Sequence, residues 1–211
     1  MTRASSSQPQ SRQQDPDAIV RSGGWLFRQR TWLPLPIALA LVLVPSRPFA
    51  SPFLAWSGIA LVATGELLRL WAVRHIGVVS RTRSERLGPL VATGPFARLR
   101  NPLYLGNIAL WVGFAASAGL AWLIPPIVLL LAFEYHAIVR WEERLLEGRL
   151  GDLYGEYAAR VPRWIPLTSP VSLTSRVSRP TFSWRDTLFS ERGTLLAIVA
   201  GYLLLWYKSQ V

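Results

Sequence analysis

The chain has 211 residues and no cysteine. A disulfide framework, a thiolate nucleophile and a cysteine-ligated metal centre are therefore excluded. His75 and His136 are the only histidines, so a histidine-rich metal centre is excluded too, and no metal is expected. Lysine is almost absent: of 23 basic residues only Lys208 is lysine. The preference for arginine suits phosphate or carboxylate contacts, and it is equally what a GC-rich genome produces.

What the chain does have is apolar residues and positive charge. Hydrophobic residues make up 51%, ten residues are tryptophan, and the formal net charge is +11. A soluble domain rarely combines these, whereas a small polytopic membrane protein does so when its charges are confined to loops. Nucleic acid is a poor partner for this charge, because the arginines are spread over the segments between apolar runs.

Residues 1–22 are rich in Ser, Gln, Arg and Asp without apolar periodicity and read as a disordered tail. That tail is too long for a signal peptide, and no small-residue cleavage site follows the first apolar run, so none is expected. Five apolar runs follow, at 32–44, 53–73, 102–118, 122–139 and 194–206. Several fall short of the roughly 20 residues that usually span a bilayer, but the charges between them alternate. Five basic residues lie up to Arg30, six in 74–100 and nine in 140–192, with one or none in the other turns. By the positive-inside rule this predicts five transmembrane helices, with the N-terminus cytoplasmic and the C-terminus outside. The expected organisation is a tail (1–22), two transmembrane helices (23–74), a core of cytoplasmic loop, hairpin and closing segment (75–166), a basic linker (167–193) and a last transmembrane helix (194–211). The uncharged turn Ser117-Ala118-Gly119-Leu120-Ala121 predicts a tight antiparallel hairpin. Gly106, Ala109, Gly113 and Ala116 make a small-residue stripe suited to close helix packing in lipid.

The chain pivots on Gly94-Pro95-Phe96-Ala97-Arg98-Leu99-Arg100-Asn101-Pro102-Leu103-Tyr104-Leu105-Gly106. Asn101-Pro102 reads as a helix start, with Asn at the N-cap and Pro at the first helical position. Free N–H groups and a positive dipole end, flanked by Arg98 and Arg100, favour an anion there. Tyr104 adds an aromatic face and a hydroxyl, and Gly106 would let a ligand approach the backbone. The same residues would also serve as a plain interfacial anchor.

After the fourth run comes Arg140-Trp141-Glu142-Glu143, then Gly151-Asp152-Leu153-Tyr154-Gly155-Glu156-Tyr157 and Val161-Pro162-Arg163-Trp164-Ile165-Pro166. Adjacent carboxylates on a helix diverge by about 100° and can reach two groups of one ligand, or they decorate a solvated face. Within the runs, Glu66 and Arg69 at i, i+3 are expected to pair. Glu134 and His136 lie deep in the fourth run and are candidates to line a lateral opening for a lipid headgroup.

The blocks Gly94-Pro95-Phe96 and Arg100-Asn101-Pro102-Leu103-Tyr104-Leu105-Gly106 resemble the Gly-Pro-Tyr … Arg-His-Pro-x-Tyr-x-Gly motif of one membrane family. It is that of the isoprenylcysteine carboxyl methyltransferases and phospholipid methyltransferases. Glu142-Glu143, Tyr154, Tyr157 and Val161-Pro162-Arg163 are similar to its C-terminal blocks, in the same order. The match runs from about 74 to 166. The resemblance implies an all-α integral-membrane methyltransferase with a cytoplasmic pocket for S-adenosylmethionine. Its acceptor would be lipophilic and membrane-embedded, a prenylated or lipid-like carboxylate, amine or hydroxyl. Carried over by position, Arg100, Asn101, Tyr104, Gly106, Glu142, Glu143, Tyr154 and Tyr157 would bind the cofactor. Arg163 and Glu142 would be catalytic, and Glu134 and His136 would meet the acceptor. Asn101 stands where the family usually has His, and Phe96 where it has Tyr; Asn keeps the cap and a hydrogen bond but cannot titrate, so a base role at 101 would be lost and a positioning role kept. The implied localisation is a bacterial inner membrane. The alternatives are a membrane NADPH-dependent reductase of sterol-reductase-like architecture, for which Arg98, Arg100 and Arg163 are available, and a non-catalytic protein keeping the fold.

Overall fold

The structure, a computed structural model, describes residues 18–77, 90–172 and 183–210. Among these residues it is helical, with no strand. The helices are α1 (Ala18–Gln29), α2 (Leu35–Leu43), α3 (Pro52–Ile76), α4 (Pro102–Ser117), α5 (Ile124–Leu150), α6 (Asp152–Arg160) and α7 (Trp184–Gln210). Short 3-10 turns at Gly94–Ala97 and Ala121–Leu123 lead into α4 and α5.

Three helical stretches are long and apolar enough to cross a membrane: Pro52–Ile76, Ala121–Leu150 and Trp184–Gln210. The other two expected spans are shorter as helices. α4 has 16 residues, about 24 Å at the usual rise, and α2 has nine, about 14 Å. Proline sets the limits of α2. Pro34 stands at its start, and Val44, which precedes Pro45, turns extended at ψ 125°.

Two expected boundaries move. Residues 18–22 are not tail but the first turn of α1, whose Val20, Gly23, Gly24 and Phe27 recur at helical spacing and are buried; residues 1–17 lie outside the described residues. Residues 184–193 are not linker but the first turns of α7. Ser183 and Asp186 cap that helix reciprocally, the Ser183 hydroxyl accepting from the Asp186 N–H (3.1 Å) and donating to its carboxylate (2.7 Å).

The tightest helix pair is α3 and α4, which cross antiparallel on glycine. A methyl group on Gly65 would lie 2.8 Å from the Gly106 carbonyl oxygen, and one on Gly113 would lie 2.6 Å from that of Gly58. No side chain fits at either crossing, and the small-residue stripe of α4 is there for this contact. α1 lies on α5 in the same way: a methyl on Gly23 would be 2.1 Å from the Ala137 carbonyl oxygen. The hairpin turn is tight, with Gly119 at φ +71°.

Polar anchors hold α7 to the bundle. Near its start, Arg69 of α3 reaches Glu191 and Thr194 of α7 and Asn107 of α4, and its Nε lies 3.3 Å from Glu66. The expected Glu66–Arg69 pair thus exists, but as part of a four-partner cluster. At the far end, the Lys208 ammonium donates to the carbonyls of Leu41 (3.0 Å) and Val44 (2.6 Å), closing the end of α2. The bundle core is Phe27, Leu41, Ala115, Leu131, Tyr135, Ile138 and their neighbours. A second, smaller core of Leu90, Ala92, Tyr154, Tyr157 and Val161 joins α6 to the chain before α4.

Candidate active site

The start of α4 and the end of α5 meet at the arginine-rich end of the bundle. Asn101 occupies the N-cap position, but its side chain does not cap α4. Its amide donates instead to the Arg163 carbonyl at 3.2 Å. The segment after α6 runs alongside, and its carbonyl competes for the Asn101 amide. The Arg100 N–H donates to the Pro162 carbonyl (2.9 Å), Leu167 N–H to Arg98 (3.0 Å) and Val171 N–H to Ala97 (2.9 Å). Residues 161–171 therefore lie over the approach to α4.

Glu143 is buried, and two guanidinium groups share it. Arg163 grips it with both edges of the fork, Nε at 3.0 Å and Nη2 at 2.6 Å, and Arg100 Nη1 stands 3.0 Å from the same carboxylate. The Glu143 bond holds the Arg163 guanidinium above its ordinary pKa. Glu142, about 100° further round the helix, accepts the Tyr104 hydroxyl at 3.0 Å. Tyr104 also stacks on Tyr135, centroids 4.7 Å apart. The two carboxylates thus serve two sides. Beside Glu143 lies a cleft of about 110 Å³ lined by Val20, Arg140, Glu143, Arg144, Glu147 and Arg163.

Tyr154 and Tyr157 support this arrangement from α6. Both are buried. The Tyr157 hydroxyl donates to the Phe96 carbonyl at 2.9 Å, and Tyr154 bonds Arg100. Burial, followed by the nearby Glu143 charge, pushes the Tyr154 hydroxyl up to about 12. Burial raises that of Tyr157 as well.

Two expectations do not hold. Gly106 is not an opening for a ligand, because a methyl there would strike the Arg69 Cγ at 2.6 Å; the glycine is used by helix packing. Glu134 and His136 do not share a face. Two residues along a helix are about 200° apart, so Glu134 is buried at 4% exposure while His136 is exposed on the opposite side. Glu134 keeps one oxygen, Oε1, buried without a hydrogen-bond partner among the described residues.

Residues 53–152 match the model of the phospholipid methyltransferase family. Over those residues, a little under half of its length, the chain is similar to that family of membrane methyltransferases. α3, α4, α5 and the acid pair fall inside the matched stretch, whereas α1, α7 and Arg163 fall outside it.

Two curated relatives carry other names. One is the cobalt-zinc-cadmium resistance protein CzcN of Cupriavidus metallidurans, 29% identical over 121 residues, 57% of this chain and 53% of that protein. The other is the nickel-cobalt-cadmium resistance protein NccN of Alcaligenes xylosoxydans xylosoxydans, 32% identical over 112 residues, 53% of this chain and 48% of that protein. The chain thus spans about half the length of these relatives. No solved structure matches the chain.

Sequence reasoning missed Arg30, Asn107, Tyr135 and Glu191. Glu191 carried a signal, being an acid one turn before an apolar run. Arg30 carried none, since it sits among the other arginines of the N-terminal segment.

Proposed function

We propose that the protein is an integral-membrane methyltransferase that uses S-adenosylmethionine and acts on a lipophilic acceptor held in the bilayer. One juxtaposition supports this reading above all. Within the family core, Tyr104–Glu142 and Arg100–Glu143 bring the start of α4 and the acid pair of α5 into direct contact. The donor set suits the cofactor. Glu142 has one oxygen engaged by Tyr104 and, among the described residues, one without a partner, open to an ammonium or a ribose hydroxyl. The leading N–H groups of α4 suit a carboxylate. Arg100, Asn101, Tyr104, Glu142 and Glu143 are the binding residues in this reading. Tyr154 and Tyr157 hold Arg100 and the chain at Phe96 from behind.

The cleft of about 110 Å³ is smaller than the ~300 Å³ or more that ligand sites usually offer. The Arg163–Glu143 fork and residues 161–171 are what must move to admit a nucleoside, and their return excludes water from the reaction. S-adenosylmethionine, when bound, supplies a methyl group that is already electrophilic. The protein's work is to align an acceptor with it. A carboxylate acceptor needs no base, whereas an amine or hydroxyl must lose a proton. The open Glu142 oxygen goes to the cofactor in this reading, so such an acceptor gives up its proton elsewhere, and Arg163 closes the site. Glu134 is the acceptor-side acid in this reading, without His136. The membrane arrangement that goes with it is five crossings in an inner membrane, with the pocket and N-terminus cytoplasmic and the C-terminus outside.

Calorimetric titration of detergent-purified protein with S-adenosylhomocysteine tests this. Micromolar binding, weakened at least about tenfold by Glu142→Gln, is the expected result. No binding by the folded protein, or binding of NADPH instead, overturns it. Since both relatives bear metal-resistance names, cobalt, zinc and cadmium tolerance of a deletion strain is the physiological readout to run alongside.

A further inference from the structure

Arg30 is a half-buried guanidinium that, among the described residues, has no hydrogen-bond or ion-pair partner. It follows α1 directly, and its position is fixed. Gly23 and Gly24 let α1 lie directly on α5, where a methyl on Gly24 would be 2.9 Å from the Trp141 indole nitrogen. Phe27 packs on Trp141 with ring centroids 4.9 Å apart. The Arg30 guanidinium sits 3.9 Å from the centre of the Phe27 ring. This stack of Arg30, Phe27 and Trp141 ends one residue before Glu142. The Arg30 charge is felt by both Glu142 and Tyr104.

Among the described residues, the five Arg30 donors have no acceptor and the carboxylate beside them keeps one open oxygen, so the two opposite charges act on each other through space without a direct bond. Neither can take a phosphate alone, because Glu142 repels it, nor a simple ammonium, because Arg30 repels that. A zwitterion answers both. We infer that Arg30 and Glu142 together bind the α-amino-acid end of the cofactor, Arg30 taking its carboxylate and Glu142 its ammonium. The inference rests on the methyltransferase reading above and extends the site to a helix outside the family core. α1 is then a wall of the cofactor site, as Val20 already is for the neighbouring cleft.

The test is calorimetry with two probes, S-adenosylhomocysteine and 5′-methylthioadenosine. The second keeps the nucleoside and thioether and lacks the amino-acid end. Arg30→Gln should weaken the first about tenfold or more, the loss of one charge-assisted bond, and leave the second unchanged. Arg30→Lys should fall between, keeping the charge without the fork, and it stands in if Arg30→Gln does not fold. Equal weakening of both probes, or no weakening of the first, overturns the inference and leaves the cofactor assignment intact. Binding of neither probe by the wild-type protein overturns the cofactor assignment itself, and the inference with it.

Discussion

Glu143 shows how much one residue holds at this site. Its carboxylate joins Arg100, which leads into α4, to Arg163 in the closing segment. Removing it leaves two guanidinium groups facing each other without their anion. Breaking a buried pair costs roughly 3–5 kcal/mol, but the Arg163 side chain is 27% exposed, so solvent screens part of it. Glu143→Ala should therefore destabilise by about 2–4 kcal/mol in denaturant melts in detergent, and the wild-type value would show that the fork is ornamental. Tyr157→Phe should cost about 1–3 kcal/mol, because the Phe96 carbonyl loses its donor in a buried place. The residue types at both positions were legible in the sequence, but not what each would hold. The Asn101 amide and the Glu143 carboxylate are used by residues about sixty and twenty positions away, and no local pattern announces such partners.

At the scale of helices, glycine decides the packing. Gly106→Ala should push α4 off α3, because the new methyl meets Arg69 at 2.6 Å and the Gly65 carbonyl at 2.8 Å. Gly148→Ala on α5 is the control. Nothing lies within 4 Å of its added methyl, so alanine should stabilise by up to about 1 kcal/mol through helix propensity. Thermal melts that moved the same way for both would contradict the packing. The small-residue stripe of α4 pointed to such a contact from sequence alone, but not to α3 rather than α5 as its partner. The ends of α7 were hidden differently. Ser183 and Asp186 form a capping box that marks a helix start, but the charged stretch around it read as loop.

For the whole molecule, the arginine distribution predicts an orientation and the polar anchors decide whether α7 stays docked. Few buried residues hold α7, and most of its apolar side chains face outward, as lipid contact requires. Glu191→Leu should leave Arg69 a part-buried cation short of one acceptor and lower the melting temperature more than an outward substitution such as Leu203→Ala; equal effects would show that the Arg69 cluster does not anchor α7. The absence of cysteine makes topology directly testable. A lone cysteine at Ser209 should react with an impermeant thiol reagent from outside. One at Ser169 should react only in inside-out vesicles. The reverse pattern would invert the topology.

Composition and charge alone pointed to a membrane protein of helices with its arginines in the segments between apolar runs. A bilayer tolerates little else, and the apolar runs and the segments between them are written along the chain. The order of motifs pointed to the helix start and the acid pair that meet in the structure. Only the tertiary structure decided how those residues are used, because their partners come from distant segments. Gly106 went to helix packing, Glu134 and His136 went to opposite faces, and Glu143 went to two arginines. It also brought Arg30 from a helix outside the family core to the side of Glu142. Sequence spacing sets where a side chain points on its own helix, and the packing of helices against each other sets what it meets there.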